Sequence, residues 1–360
     1  MVKLKHISLL LSLVLVFSVF VMGCEESEEP AEDSEEEVYQ VQLIGGRPDD
    51  PWNVLSHALG QFINTQSDNL EAEVIPSAGI GDNTRTAKET AEDRESSIVV
   101  TMIPGHEVWG EAEDYYPRKV ASLSFLNDVW VTYDEDIETI EDFEGKNIAL
   151  PRDVELSYTW IFDNWLQAAG VEDYELMHGG IGARSSALMD GAVDIATIPM
   201  DFYFPDKYEM SSNMMELEGR DDIHLPNQGN VEQNLEWIEE AGQMEPFEDE
   251  YELPNLGMTM PPDAFDEGLP EEELVYIATP VYWAAGEEVP DDVIYEVTRI
   301  IHENIQDGQF EPHHAHAEGL TEEHMTTSFW TDEEEREEQY HPGALEYYED
   351  QGMELQSHFD

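Results

Sequence analysis

Arg47, Arg85, Arg152 and Arg184 are the residues whose type and position point most directly to chemistry. The sequence carries 83 acidic residues against 15 basic ones, a formal charge of −68. A chain that has shed nearly all its basic surface keeps arginine mainly where something requires it. A guanidinium fork suits a carboxylate bidentately, and glycine-rich turns at helix starts add backbone N–H donors for the same anion. Gly45 and Gly46 precede Arg47, Gly79-Ile80-Gly81 precedes Arg85, and Gly180-Ile181-Gly182 precedes Arg184. Pairing with the abundant carboxylates is the alternative use of each arginine. Trp52 and Tyr158, at expected helix starts, are either pocket wall or packing, whereas Trp160, spaced to share a face with Trp165, reads as core.

Other chemistries are not supported. His313, His314, His316 and His324 match no zinc spacing with a fixed helical geometry, and no cysteine joins them, so they read as solvent-facing on an acidic surface. The acidic run Glu333 to Glu338 reads as a solvated helix face. There is no phosphate loop, nucleophile elbow or paired metal-ligand helix, so neither a metal nor a cofactor is expected, and a hydrolase is the weakest of the functional classes. The charge makes nucleic acid a poor partner. It also implies a halophilic source, because at about 1 M salt the screening length falls to roughly 3 Å and self-repulsion is quenched.

These residues need elements to hold them. Val41 to Ile44 forms a strand, Gly45 to Pro51 a loop, and Trp52, Leu55, Leu59, Phe62 and Ile63 mark one face of a helix. The strand Glu73 to Ile75 ends at Pro76, a helix runs from about Asn83 to Asp93, and the strand Ile98 to Ile103 is closed by Pro104. About a hundred residues later the pattern repeats. Strand Asn147 to Leu150 leads through Pro151 to Glu155 into a helix bearing Leu156, Trp160, Ile161, Trp165 and Leu166; strand Tyr174 to Met177, a Gly-Ile-Gly turn, a short helix and strand Val193 to Ile198, closed by Pro199, follow. Two similar α/β lobes are implied. Open parallel sheets place ligands beyond the carboxyl ends of their strands, so two facing lobes make a cleft between such loops. Val120 to Tyr133 crosses between the lobes, with the hinge near Leu126 to Val129; Val275 to Trp283 returns, and Asp291 to Ile305 is an amphipathic helix. The expected division is residues 39–125 plus 275–360 for the first lobe and 126–274 for the second.

The beginning of the chain carries an address. Lys3 and Lys5 precede an apolar run from Ile7 to Met22, which at 1.5 Å per residue is shorter as a helix than the ~30 Å membrane core. Residues 1–23 therefore read as a secretion signal. Val21-Met22-Gly23-Cys24 resembles a bacterial lipobox, and lipidation explains why an exported chain keeps Cys24 as its single cysteine. Residues 24–38, rich in acid and free of aromatics up to Glu37, read as a disordered tether. The expected location is extracytoplasmic, lipid-anchored to the cell membrane.

Beyond these readings, the chain resembles a family. The Gly45-Gly46 turn, the Ser77 to Asn83 turn, IEDFEG at Ile140 to Gly145, VPDDVIYEVTRII at Val289 to Ile301 and, most sharply, HPGALEYYEDQG at His341 to Gly352 are similar to TAXI-type solute-binding subunits of TRAP transporters. The likeness runs from about Tyr39 to Met353, with a less familiar stretch between Tyr203 and Gly257. It implies a two-lobed periplasmic-binding-type α/β fold that closes on a small organic anion or amino acid, glutamate-like or another carboxylate, and delivers it to membrane subunits driven by an ion gradient. Carried across by motif, the pocket would use Gly45, Gly46, Ser77, Asn83 and the loop at Leu156 to Thr159. Pro51 and Trp52 stand where the family usually has a tyrosine pair, and Glu155-Leu156-Ser157-Tyr158-Thr159 where it has Gly-Ser-Gly-Thr. Together the two lines of reasoning give a ligand set of Gly45, Gly46, Arg47, Trp52, Ser77, Asn83, Arg85, Arg152, Ser157, Tyr158, Thr159, Arg184 and Pro199. The alternative partner is an ATP-driven importer or a sensor kinase.

Overall fold

The computed structural model describes residues 38–48, 50–87, 91–102, 115, 117–152, 156–204, 206–229, 257–265, 268–328 and 332–358. The expected secretion signal, Cys24 and the acidic tether up to Glu37 lie outside them. The first half follows from β1 (Tyr39–Gly46), α1 (Pro51–Gln66), β2 (Leu70–Pro76), α2 (Ile80–Ala87), α3 (Ala91–Ser96) and β3 (Ser97–Met102). All six residues of β3 are buried, the signature of a strand covered on both faces. The single helix expected from Asn83 to Asp93 is instead two short ones, the first beginning straight after Gly79, whose φ of +141° turns the chain where a side chain would strain it.

The second half repeats the plan with β5 (Lys146–Leu150), α4 (Leu156–Ala168), β6 (Tyr174–His178), α5 (Ile181–Met189) and β7 (Ile195–Pro199). Within each half the strands are parallel: β2-β1-β3 in one and β7-β5-β6 in the other. What joins them is a pair of long, almost wholly buried antiparallel strands, β4 (Arg118–Thr132) and β11 (Leu274–Ala285). They merge both halves into a nine-stranded sheet of order β2-β1-β3-β11-β4-β7-β5-β6, with β10 (Gly257–Met260) added on β11. Asp128 is the pivot of this ladder, the last β4 residue paired with β11, opposite Ile277, and the first paired with β7, opposite Pro199.

Other elements dress this frame. The hairpin β8 (Asp201–Tyr203) and β9 (Lys207–Glu209) follows β7, and α6 (Ser212–Glu218) starts at Ser211, whose hydroxyl accepts from the Met214 amide. After β11, α7 (Asp291–Gln306) turns its apolar face to the core. A strap through residues 307–321 then leads to α8 (Glu322–Met325), β12 (Thr327–Ser328), α9 (Glu333–Glu338), α10 (Pro342–Gln351) and β13 (Gln356–Ser357). No helix among the described residues is long and apolar enough to cross a membrane.

The segment that follows the strap is fastened to β4 by an unusual lysine. Lys119 is 5% exposed; its ammonium donates to the Thr327 carbonyl and lies 4.9 Å from the Tyr340 ring centre and 5.6 Å from that of Tyr282. Burial pulls its pKa from the ordinary 10.5 down to about 7. The unfolded chain therefore holds a proton that the folded chain releases above about pH 7, so stability must rise with pH in that window. Urea unfolding is expected to give a gain of about 2 kcal/mol between pH 7 and 9, at up to ~1.4 kcal/mol per pH unit, and Lys119→Met should flatten that slope. Equal slopes in the two proteins would show that Lys119 keeps its charge in the fold.

Candidate functional site

At the end of β1 the chain runs tightly under the start of α1. A Cβ on Gly45 would lie 2.7 Å from the Asn53 Cα and from Ser56 Oγ, so this glycine lets the helix approach the strand. Gly46 has a φ of +106°, and its carbonyl accepts from Asn53 Nδ2 at 3.3 Å. Arg47 turns back on the same loop: its Nε and Nη2 each sit 3.2 Å from Asp50 Oδ1, while Asp50 Oδ2 takes the Arg47 amide at 3.0 Å. The pairing with a carboxylate is thus realised at Arg47.

At the end of β2, Ser77 Oγ bonds Asn83 Oδ1, and Asn83 Nδ2 donates to the Val100 carbonyl at 2.7 Å. Asn83 is fully buried, so it clamps the β2–α2 turn to β3. Arg85 lies on the exposed side of α2, 3.5 Å from Asp82. In the other half, Ser157, Tyr158 and Thr159 fall in the first turn of α4; their side chains lie outside the described residues. Arg152 is exposed and lies across the N-cap of α5, where a Cβ on Gly180 would stand 3.2 Å from its Nη2. Pro199 ends β7 opposite Asp128.

Arg184 is the arginine most withdrawn from solvent, at 3% exposure, and it sits in the first turns of α5. Its Nη1 reaches Asp128 Oδ2 at 2.6 Å and the Thr197 carbonyl at 2.5 Å, and also contacts Thr197 Oγ1. The helix is thereby tied to the pivot of the crossing strands and to β7. Sequence gave no sign of Asp128 as the partner, because Asp128 stands in an otherwise apolar strand and the pair spans 56 positions.

The histidines correct an expectation. They are not all solvent-facing: His313 is exposed, but His324 is 2% exposed and stacks on Phe125 with ring centres 5.0 Å apart. His316 stacks on Trp52 at 5.3 Å and on His314 at 5.0 Å. The cause is the strap, which comes from the first half and crosses to β8. There His316 Nδ1 is 3.9 Å from Asp201 Oδ1, and Lys207 Nζ bonds Glu318 at 2.5 Å. Although 3.9 Å is within ion-pair range, burial and His314 pull His316 down to about 4, so at neutral pH the ring is uncharged and this is not a charge pair. Trp52, 4% exposed, is thus linked through His316 to Asp201, two positions after Pro199. The start of α1 and the chain leaving β7 are therefore bridged by the strap, which the spacing of the two motifs alone did not reveal.

Matching halves, each a parallel sheet with its loops at the strand ends, joined by long strands shared by both, define the two-lobed α/β architecture of periplasmic binding proteins. The chain belongs to the NMT1-like family, whose model matches residues 49–352. No curated protein matches it in sequence. Among solved structures it is similar to the putative sulfonate ABC transporter periplasmic sulfonate-binding protein SsuA of Methylobacillus flagellatus KT, at 15% identity over 89% of this chain and 90% of that one, with a TM-score of 0.44. XAC2383 from Xanthomonas citri, bound to ATP, aligns at 11% identity over 86% and 98%, TM-score 0.46. MatC from Rhodopseudomonas palustris, with bound malate, aligns at 10% identity over 78% and 89%, TM-score 0.43.

Proposed function

We propose that this chain is an extracytoplasmic solute receptor, held to the membrane through Cys24, that closes on a small organic anion or amino acid and performs no covalent chemistry on it. The observation that carries this reading is the pivot. The loops at the strand ends of both halves converge beside two continuous strands, so a solute touching both sets of loops stabilises one relative arrangement of the halves over others. The resemblance at HPGALEYYEDQG supports delivery to a TRAP-type secondary transporter, and a neighbouring gene for a fused multispan subunit would agree with that; a neighbouring ATPase gene would assign the receptor to an ATP-driven importer instead.

A thermal-shift screen tests the receptor itself. The unit from Val38 to Asp360, compact by its own internal contacts, is placed in molar salt against amino acids, monocarboxylates, dicarboxylates, keto acids and sulfonates. A solute that binds only the folded state adds about 2.7 kcal/mol of stability at a hundredfold excess over Kd, and at least one member of the panel is expected to do so. A folded protein that responds to none of them would count against the receptor reading.

A further inference from the structure

Arg184 uses only part of its guanidinium. Its described hydrogen bonds all leave from Nη1, whereas its Nε, buried, has no partner. A guanidinium grips a carboxylate most firmly along an edge that offers two parallel N–H donors, and the Nε–Nη2 edge is one such edge. Here that edge is left over while the opposite corner is pinned by Asp128 and Thr197. Pinning removes the side-chain freedom that a solvent-exposed arginine would lose on binding.

A second orphan stands on the face of the sheet that carries Asp128, the partner of Arg184. Thr279 on β11 is fully buried, and its Oγ1 also lacks a partner. In the ladder Thr279 stands opposite Leu126, while Asp128 stands opposite Ile277, so Thr279 and Asp128 share one face of the sheet one diagonal step apart, about 7 Å. A buried hydroxyl and a buried N–H without partners each carry an uncompensated desolvation cost unless something is bound there. Both are at the pivot, at the carboxyl end of β7, where the loops of the two halves converge.

We propose that the free edge of Arg184, with the hydroxyl of Thr279, is the subsite that receives the carboxylate of the solute. This rests on the receptor reading and narrows it to a substrate class. Because Asp128 already balances the charge of Arg184, the subsite recognises its ligand by directed donors, which fits a single carboxylate better than a phosphate dianion. It also places the ligand's charge against the residue on which the two halves turn.

The test uses the Val38 to Asp360 unit and isothermal titration with each carboxylate that the screen returns, alongside its matched primary amide. Thr279→Val keeps the shape and removes the orphaned hydroxyl; Arg184→Lys keeps the charge facing Asp128 and removes the fork. The expected result is a Kd raised about tenfold by Thr279→Val and more by Arg184→Lys, with the amide bound at least tenfold more weakly than the acid by the wild-type protein. Thr279→Val should meanwhile leave the ligand-free protein as stable as wild type or more so, which a purely structural threonine would not. If carboxylates bind and both variants keep wild-type Kd, the subsite is wrong and the receptor reading stands. If only solutes without a carboxylate bind, the substrate class is wrong. If nothing binds the folded protein, both fall together.

Discussion

Gly343→Ala is expected to cost more than about 3 kcal/mol of stability, because there is no room for one methyl group at the contact between α7 and α10. A Cβ at Gly343 would overlap the Asp291 carbonyl oxygen and lie 2.8 Å from its carbon. The obstruction is backbone, not the tip of a side chain, so it cannot swing aside. His341 sets up the approach: fully buried, it caps α10 by accepting from the Gly343 amide at 3.2 Å, while its own amide donates to the Lys119 carbonyl at 2.9 Å. Further along, Tyr347 hydroxyl and His302 Nδ1 lie 2.7 Å apart, and Tyr295 donates to Asp350 at 3.0 Å. The helices must separate at their closest point to admit the alanine, and those bonds would loosen with it. Urea unfolding in molar salt measures the loss; a change below 1 kcal/mol would mean that α10 can move away from α7 without disturbing the core.

That contact also gives physical content to two of the segments that carry the family likeness, the sharpest one among them. VPDDVIYEVTRII supplies Asp291 and HPGALEYYEDQG supplies Gly343, so the motifs are the two sides of one helix contact in the first half. Their match therefore has a structural basis in the fold, and the neighbouring transporter gene is what tests the choice of partner.

The internal echo was legible because each half must bury the same kind of strand and helix, and the apolar periods of Leu55, Leu59 and Ile63 and of Trp165 and Leu166 report that burial directly. The crossing strands were legible too, as the apolar segments Val120 to Tyr133 and Val275 to Trp283. Their consequence, one continuous sheet with a pivot at Asp128, was not, because strand pairing depends on register and register is fixed by partners far away in sequence. At the site, sequence identified the scarce arginines but not their partners. Arg47 pairs with a carboxylate three positions away, and Arg184 with one 56 positions away; only the first could be seen from spacing. Thr279 was hidden in LVYIATPVYWAA, where it reads as one more β-former. The histidines misled because exposure was judged from their acidic neighbours, whereas the path of the strap over Trp52 and β8 decides it.

Asp128→Ala is expected to cost about 3–5 kcal/mol, since it leaves the Arg184 guanidinium buried without its counter-charge. The side chains of both residues are 4% exposed and their contact is 2.6 Å, so molar salt screens the pair far less than it screens the acidic surface. Arg184→Met alone should be comparably destabilising, for the mirror-image reason. Replacing both at once, Asp128→Leu with Arg184→Met, should recover most of the loss, because the desolvation cost of the two charges then disappears together with their attraction. The double-mutant cycle separates the pair's coupling from the cost of orphaning one member. An Asp128→Ala protein that loses less than 1 kcal/mol would show that water or another group reaches Arg184 in the fold. A double variant that folds as well as wild type yet binds no carboxylate would show that the pair is retained for recognition at the pivot and not for stability, which is what its unused guanidinium edge implies.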